Sequence, residues 1–519
     1  MTYSLPQAHR RTLRDSIYIP NLDTTVKLVI GVPEDLDVLL HFICDRFSRE
    51  EPIDVALKLS AADLRNRYYK TVFQCLSRPL TIIAVDCFEI CGVVSGRAVK
   101  PGPKRTLPLL DDYAEKIEDA TGSLADRQNK VFVEELESWT PNHLPDDCEE
   151  FFRIDFFSVM PEYQNAGLGK RLWFESLSLA QREHFCFVES GCSAVISTSI
   201  AGKFGMKSIF TFPYASYRSH GEAIFGTVLH DGSKAANLMF GEMETIGKKL
   251  DEYEKENPLK LHLAYTVPKC DRVILDPKFF VSKLQRTIRI EIATADDSEV
   301  ISRFLRNEAV RLAPLSQTLQ CGKTDVELVA KSRGNAEVLN ENLTLMAIDE
   351  EDKICGLLVN TIMDIQPGPK VSEDVKRDFT AEIDAADKPS FKLKVLSSVS
   401  HWLNTFTAQN LPSNCTKVFI IDFLGVHPLY RGCKIGEKLW LESLRLAKER
   451  GYEYTQCICT AIASNKIALA SGMKVVHSYN YSDLHYRDRQ LFSDGRMYDG
   501  GEVANLIIGN LNEMNLQRK

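Results

Sequence analysis

The sequence lacks long apolar runs and clusters of basic residues. No stretch reaches the roughly 18–20 consecutive apolar residues that a membrane-spanning helix needs, and the amino terminus, MTYSLPQAHRRTLRD, has no apolar segment of the kind found in secretory signals. The formal net charge is −8, which disfavours nucleic acid and anionic membrane surfaces as partners. These absences predict a cytoplasmic protein that binds neither nucleic acid nor a membrane.

Cysteine pairs at metal-binding spacing are also missing. The chain has 14 cysteines, but neither Cys87 and Cys91 nor Cys457 and Cys459 are matched by a second pair at the spacing of a zinc site. Without a secretory signal, the cysteines are expected to be reduced thiols in the core. We therefore expect neither a disulfide framework nor a metal site.

The composition and length are typical of a soluble globular protein with two domains. Hydrophobic residues make up 44% of the chain and charged residues 26%, a composition typical of soluble proteins. The length of 519 residues exceeds what one hydrophobic core normally serves, so two domains are expected.

An internal repeat divides the chain. The stretch FFRIDFFSVMPEYQNAGLGKRLWFESLSLA, from Phe151, matches VFIIDFLGVHPLYRGCKIGEKLWLESLRLA, from Val418, at a constant offset of 267 residues. Two further blocks match in the same order, one near residues 80 and 343 and one near residues 231 and 499. The repeat indicates a duplicated unit. It predicts domains at 1–270 and 288–519, with 271–287 as an apolar linker that favours intramolecular pairing of the domains. The oligomeric state stays open.

Each unit has the pattern of a mixed α/β sheet flanked by helices. Residues 82–85 and 90–94 are typical of a β-hairpin, and helical segments are expected around 110–138 and 372–409. FFRIDFFSV lacks polar alternation and is predicted to be a central strand buried on both faces. KRLWFESLSLAQRE is an amphipathic helix, CSAVIS a predicted strand, and TSIAGKFGM a helix that ends on a glycine.

A glycine loop follows the buried strand of the first unit. It consists of Gln164, Asn165, Ala166, Gly167, Leu168, Gly169 and Lys170. Glycines let successive N–H groups face one concavity, and the following helix N-terminus adds partial positive charge, so the loop suits a pyrophosphate. An ordinary strand–helix turn is the alternative for the loop alone. The glycine spacing fits neither a dinucleotide fingerprint nor a Walker loop.

The two loop regions, VMPEYQNAGLGKRL and VHPLYRGCKIGEKL, resemble the [QR]-x-x-G-x-[GA] loop of the GNAT acetyltransferases. The resemblance implies two tandem GNAT (acyl-CoA N-acyltransferase) folds with acetyl-CoA as cosubstrate. The loop amides would hold the pyrophosphate, and the strand before the loop would splay to admit the pantetheine arm, with Phe157 and Val159 adding backbone contacts. In the second copy the corresponding residues are Val426, Arg431, Gly432, Cys433, Lys434, Ile435, Gly436 and Glu437. The resemblance also implies a coenzyme contact for Asn465, which stands where many GNAT proteins have a coenzyme-contacting asparagine and the first copy has Thr198. Lys434 replaces the first glycine of the pattern, which puts the affinity of that copy for the coenzyme in doubt.

A narrower resemblance concerns the insect-type arylalkylamine N-acetyltransferases. It rests on RFSREEPIDVALKL near residue 46 and on GMKSIFTFPYASY, and it covers about residues 25–245 and 288–511. It implies that Glu51 is the general base, that Ser193 and Ser197 handle protons near the departing thiolate, and that Tyr217 or Tyr214 is an acid for the leaving sulfur. The alternatives are a surface charge at a helix end, serines bonded to the backbone, and tyrosines in the core.

The two copies differ at these positions. Ala313 stands where Glu51 stands in the first copy. Ser193 is replaced by Thr460, whereas Ser197 is retained as Ser464. We therefore expect an active first domain and a second domain that is regulatory, structural or slow, although Glu308 could substitute as its base and the reverse assignment stays open.

The expected reaction is direct acetyl transfer from acetyl-CoA to a small-molecule amine, preferably an arylalkylamine. A polyamine, an amino acid or a protein lysine is the alternative acceptor, and a catalytically silent acyl-CoA-binding regulator is the alternative outside enzymes. Covalent catalysis through Cys192 or Cys433 is disfavoured, because both are expected to be packing or loop residues.

Overall fold

The computed structural model describes residues 3–6, 8, 10–257, 265–366, 377–492, 495–514 and 516. The chain divides into two compact units, Met1–Lys260 and Leu261–Lys519. Within the described ranges, no helix is both long and apolar enough to cross a membrane. All 14 cysteines lie in the described ranges, and none of them forms a disulfide.

The first unit is a mixed sheet with helices. Its strands are β1 (Thr12–Ile19), β2 (Thr24–Ile30), β3 (Ile82–Asp86), β4 (Glu89–Val99), β5 (Phe151–Val159), β6 (Phe187–Cys192), β7 (Lys207–Pro213), β8 (Arg218–Ser219), β9 (Glu222–Ala223) and β10 (Ala235–Glu242). Its helices are α1 (Leu36–Phe42), α2 (Ser48–Glu50), α3 (Pro52–Leu57), α4 (Ala61–Leu76), α5 (Ala114–Asp119), α6 (Leu124–Glu137), α7 (Leu168–Arg182), α8 (Val195–Lys203) and α9 (Met243–Glu256). A π-helical segment, Ile43–Phe47, joins α1 to α2. The large sheet has the order β1-β2-β3-β4-β5-β6-β10-β7.

The predicted hairpin and buried strand are both present. The turn between β3 and β4 consists of Cys87 and Phe88, whose φ angles are +51° and +81°, a two-residue turn whose twist matches that of antiparallel strands. Trp173 of α7 is fully buried in the main core of the unit. This main core therefore lies between the sheet and the amphipathic face of α7.

The central strands β5 and β6 separate at one end. Their parallel pairing covers only Phe152↔Val188, Arg153↔Glu189 and Ile154↔Ser190. Beyond Ile154, β5 continues to Val159, and beyond Ser190, β6 continues to Cys192. The gap opens directly before the glycine loop.

The second unit repeats this arrangement. Its strands are β11 (Ile274–Val281), β12 (Arg286–Ile292), β13 (Leu345–Asp349), β14 (Ile354–Asp364), β15 (Lys417–Val426), β16 (Tyr454–Cys459), β17 (Lys474–Asn480), β18 (His485–Tyr486), β19 (Arg489–Gln490) and β20 (Val503–Asn510). Its helices are α10 (Ser298–Phe304), α11 (Pro314–Thr318), α12 (Lys323–Gly334), α13 (Ala336–Asn340), α14 (Thr380–Ala385), α15 (Phe391–Thr405), α16 (Ile435–Glu449) and α17 (Ile462–Ala470). A π-helical segment, Leu305–Val310, follows α10.

The large sheet of the second unit has the order β11-β12-β13-β14-β15-β16-β20-β17, which is the order of the first sheet. The predicted fold class, two tandem mixed α/β units, is confirmed. Strand β11 falls inside the stretch 271–287 and pairs with β12, so that stretch is part of the second sheet.

Three predicted elements differ in detail. The prediction that CSAVIS, residues 192–197, forms a strand is wrong, because β6 ends at Cys192 and α8 begins at Val195. The reason is a cap from a distant segment, because the Asp231 carboxylate accepts the Val195 N–H at 3.0 Å. The predicted helix around 110–138 is two helices, α5 and α6. In the second unit, residues 372–376 lie outside the described residues, and α14 and α15 follow them.

Candidate active site

Two cavities meet at the separated ends of β5 and β6. The first, of about 800 Å³, is lined by the outer end of β5, the glycine loop and α8. The second, of about 520 Å³, is lined by residues of α3, α4, α6 and β5. Both volumes are in the usual range for small-molecule sites. The residues that line both cavities are Phe47, Glu51, Ile154, Asp155, Phe156, Gly191 and Ser193.

The glycine loop has the backbone shape that an anion site needs. Asn165 and Gly167 have left-handed φ angles of +59° and +83°, and α7 begins immediately afterwards at Leu168. The N–H groups of the first helical turn have no partner within the helix. A Cβ added at Gly167 would meet nothing within 4 Å. A Cβ at Gly169 would lie 2.9 Å from the ring of Phe157.

The loop is attached to the end of β5. The Gln164 side-chain amide donates to the Val159 carbonyl and to the Glu50 carboxylate, both at 3.0 Å. Most of the predicted loop residues line the first cavity, as do Phe157 and Val159. Leu168 is instead buried in the core, and Ala166 packs against that core. The open concavity and the helix start fit a pyrophosphate held by backbone N–H groups.

Glu51 lies at the junction of the two cavities. It precedes the first turn of α3, its carboxylate accepts the Asp54 N–H at 2.5 Å, and only 8% of the residue is exposed. Burial and the nearby charge of Asp54 raise the pKa of Glu51 to about 8, and a hydrogen bond with the Ser193 hydroxyl opposes this rise. Glu51 is therefore a buried carboxyl group with a raised pKa and not a surface charge.

The two serines occupy different places. Ser193 follows β6 and lines both cavities, and its carbonyl accepts the Tyr214 hydroxyl at 2.7 Å. Ser197 lies in the first turn of α8, lines the first cavity, and donates to the Ala194 carbonyl at 3.0 Å. Nearby, burial raises the pKa of the Cys192 thiol to about 11, so this thiol is protonated at neutral pH.

Tyr217 is not brought to either cavity. It is fully buried, and its hydroxyl donates to the Gln128 carbonyl at 2.8 Å. Its ring packs among Tyr113, Phe132 and other aromatic side chains. The aromatic side chains that line the second cavity are instead Phe47, Tyr68 and Phe156.

The second unit has the same loop backbone without the acid. Gly432 and Lys434 have φ angles of +71° and +61°, matching Asn165 and Gly167. Lys434 therefore takes the left-handed conformation that glycine adopts freely. Ala313, which precedes α11, has no carboxylate to offer.

The remaining predicted residues of this loop divide between core and surface. Val426, Cys433 and Ile435 pack in or against the core of the second unit. Arg431 and Glu437 are exposed, and a Cβ added at Gly436 would lie 3.4 Å from Leu424.

Two other predicted residues of the second unit have partners inside the domain. The Asn465 amide donates to the Ala461 carbonyl at 2.9 Å and accepts from Asn505 at 2.7 Å. Glu308 is buried on the π-helical segment, where it accepts the Tyr265 hydroxyl at 2.8 Å. Its carboxylate lies 3.8 Å from His427, whose pKa is lowered by burial.

Three residues near Glu51, namely Asp54, Tyr68 and Asn129, are not among those predicted from the sequence. The Asp54 carboxylate accepts the Tyr68 hydroxyl at 2.6 Å and the Asn129 side-chain amide at 2.7 Å. Asp54 stands in the EEPID motif and could have been noted. Tyr68 and Asn129 lie 14 and 75 residues away from it in sequence, and no local pattern connects them with Glu51.

Comparisons with known proteins found similar solved structures only. No family model matches the sequence, and no curated protein matches it. An Aedes aegypti arylalkylamine N-acetyltransferase 2 is 20% identical over 43% of this chain and 99% of that chain, with a TM-score of 0.36. A Drosophila melanogaster polyamine N-acetyltransferase that forms N-acetylagmatine is 15% identical over 43% and 99%, with a TM-score of 0.33. The C-terminal condensation domain of Ebony, in complex with beta-alanyl-dopamine, is 17% identical over 42% and 99%, with a TM-score of 0.34. These similarities concern the fold.

Proposed function

We propose that the first domain is an N-acetyltransferase that moves the acetyl group of acetyl-CoA to a primary amine, preferably an arylalkylamine. One observation carries the proposal: the buried carboxylate of Glu51 lies where the two cavities meet. The first cavity includes an anion-binding loop and suits the cosubstrate, and the second suits the amine.

In this mechanism the two substrates react directly. Glu51 accepts a proton from the substrate ammonium, directly or through water. The neutral amine attacks the thioester carbonyl carbon, so that the C–N bond forms and the C–S bond breaks. The second proton of the attacking nitrogen is passed to the departing thiolate, with Ser193 on the path because it lines both cavities. A base whose pKa is close to the working pH is effective in this role, and at pH 7 roughly one tenth of Glu51 would be ionised.

The aromatic lining of the second cavity supports an aryl group on the amine. The ring centroids of Phe47, Tyr68 and Phe156 lie 5.1–6.1 Å apart in edge-to-face pairs. Such rings offer apolar area for another ring and a favourable face for a cation. Because Phe47 and Phe156 line the cavity together with Glu51, an arylalkylamine could place its ring against them.

A polyamine is the second candidate, because carboxylates also line this cavity. Asp126, Glu137 and Asp155 could attract a second ammonium group. Each of them, however, pairs with an arginine of the same domain, at 3.6 Å for Asp126 and 3.1 Å for Asp155, while Glu137 contacts Arg153. This pairing weakens their attraction for a second cation and favours the arylalkylamine.

The test is the release of coenzyme A from acetyl-CoA by the full chain. The amines are tyramine, dopamine, tryptamine, serotonin, spermidine and a lysine peptide. Wild type is compared with Glu51→Gln and Gly167→Asp, whose new carboxylate would repel a pyrophosphate. The matched control is Lys434→Asp, which makes the equivalent change in the second loop.

We expect turnover with aryl amines that Glu51→Gln abolishes. We also expect Gly167→Asp to raise the KM for acetyl-CoA at least about tenfold, and Lys434→Asp to leave it unchanged. If Lys434→Asp lost turnover and Gly167→Asp did not, the activity would be assigned to the second domain. Tight coenzyme binding without turnover of any amine would favour a silent regulator.

A further inference from the structure

Asp54 is a second carboxylate buried beside Glu51. The two residues belong to the start of one helix, since the Glu51 carboxylate accepts the backbone N–H of Asp54 at 2.5 Å. Asp54 is 3% exposed and also lines the second cavity. Burying two carboxylates within one helical turn is unfavourable unless hydrogen bonds compensate at least one of them.

The hydrogen bonds that compensate for this burial are made to the carboxylate of Asp54. Tyr68 donates to one oxygen and Asn129 to the other, at 2.6 and 2.7 Å, and both donors are themselves buried. These bonds come from two different helices, α4 and α6, so they hold the carboxylate in place from two sides. Hydrogen bonds to a charged carboxylate favour its ionised form.

We propose that Asp54 is a positioning residue for Glu51: it is a fixed anion, held by Tyr68 and Asn129, that places the Glu51 carboxyl at the cavity junction and makes it the proton acceptor of the pair. This inference rests on the proposed function, in which Glu51 takes the proton of the amine. Asp54 itself need not touch the substrate.

The electrostatics of the surrounding groups support this division of roles. After burial, the charge of Asp54 is the largest cause that raises the pKa of Glu51. Burial also raises the pKa of Asp54 above its usual value, and the hydrogen bond from Tyr68, the charge of Arg67 and the hydrogen bonds with Ser48 and Asn129 offset part of that rise. The titratable and charged groups that act on the pair include Tyr68 and Arg67 of α4, Tyr214 after β7, and Cys44 of the segment Ile43–Phe47. The carboxylates of Asp126, Glu137 and Asp155 line the same cavity, and each is paired with an arginine.

The second unit has lost the whole arrangement. At the positions of Glu51, Asp54, Tyr68 and Asn129, it carries Ala313, Ser316, Ala330 and Leu396. The helices that carry these positions are nevertheless present, as α11, α12 and α15. The fold therefore does not require the four side chains, which agrees with a role in the chemistry of the first unit.

The experiment is the pH profile of kcat/KM for the full chain with tyramine, or with the best amine of the panel. In Asp54→Asn the neighbouring charge is gone, so Glu51 gives up its proton at lower pH. In the wild type, the acid limb of the kcat/KM profile should have its midpoint near pH 8, the pKa of Glu51. In Asp54→Asn we expect this midpoint to move down by about one pH unit. The ratio of kcat/KM at pH 6.5 to that at pH 9 would then rise several-fold, while the maximum falls because the base is weaker.

Two further variants make the test specific. The double variant Asp54→Asn/Asn129→Asp exchanges the two partners of one hydrogen bond. It restores a negative charge close to Glu51, so the midpoint of the acid limb should move back towards higher pH. Asp37→Asn removes an equal charge from a side chain that is 90% exposed and should leave the limb in place. If Asp54→Asn does not fold, Asp54→Ser replaces it, because the second unit folds with serine at this position.

The possible failures are distinguishable. Equal losses of kcat/KM at every pH, without movement of the limb, would overturn the role of Asp54 and leave Glu51 as the base. An acid limb that persists in Glu51→Gln would overturn the proposed function itself.

Discussion

Replacing Glu51 with glutamine should stabilise the first domain at high pH while abolishing its activity. Burial and the charge of Asp54 raise the pKa of Glu51 from 4.5 to about 8. A folded-state pKa above the unfolded value contributes stability that is complete below the unfolded pKa and is lost as the pH rises through the folded pKa. The stability of the fold therefore falls between about pH 4.5 and pH 8, because Glu51 ionises in the unfolded state while it is still protonated in the folded state.

The size of the effect follows from that shift. A difference of about 3.5 pKa units corresponds to at most about 4–5 kcal/mol. Glutamine has the same shape and its carbonyl oxygen can still accept the Asp54 N–H, but it never ionises. If half of the limit is realised, the Tm of a domain of this size rises by about 5–9 °C above pH 8, and the gain disappears near pH 4.5.

Scanning calorimetry of the full chain between pH 4.5 and 9 tests this expectation, because the transition that moves reports the first domain. Glu34→Gln is the matched control, since Glu34 is exposed and its replacement should shift the Tm equally little at every pH. A Tm difference between Glu51→Gln and wild type that does not change with pH would refute the reasoning. A lower Tm of Glu51→Gln at pH 9 would also refute it.

Two further predictions concern single side chains. Lys434→Gly should stabilise the second domain by about 1 kcal/mol, because it removes a left-handed lysine at φ +61°; a lower Tm in calorimetry would contradict this. Tyr217→Phe should leave kcat within about twofold and lower the stability by about 1 kcal/mol, because its hydroxyl donates to the Gln128 carbonyl and lines neither cavity. A loss of kcat of about 10²-fold or more, as expected for a general acid, would instead place Tyr217 in the reaction.

The sequence predicts the parts of this fold that depend on local pattern. The repeat, the apolar β5 and the glycine loop are each visible in a short stretch, because strand burial and left-handed turns leave local signatures. The start of α8 is not visible in this way. Val195 and its neighbours are β-branched and favour a strand, but the carboxylate of Asp231, 36 residues later, caps them as a helix.

The candidate site shows the same limit. Glu51 could be proposed from its motif, whereas its burial depends on packing that no local pattern records. Tyr217 illustrates the opposite case: an aromatic residue in a suggestive segment packs into the core, where the second unit has Leu484, which is also fully buried. A hydroxyl that an apolar side chain can replace in the other copy is better explained by packing than by proton transfer.

The differences between the two units separate what the fold needs from what the proposed chemistry needs. The second unit keeps the features that satisfy the backbone: the left-handed pair Gly432 and Lys434, and the cap in which Asp499 accepts the Ile462 N–H at 2.8 Å. It also keeps the gap between β15 and β16, whose pairing stops at Ile421↔Cys457.

At several positions where the first unit buries a charged side chain, the second unit has a neutral one. Besides the arrangement around Glu51, the buried pair Arg153 and Glu189 is replaced by Ile420 and Gln456. Buried ion pairs and carboxylates add little net stability and often reduce it. A unit that folds without them shows that the architecture does not depend on them. Under the proposed function, the buried carboxylates of Glu51 and Asp54 serve proton transfer at the cavity junction, and the pH profiles of the variants at these two positions test that role directly.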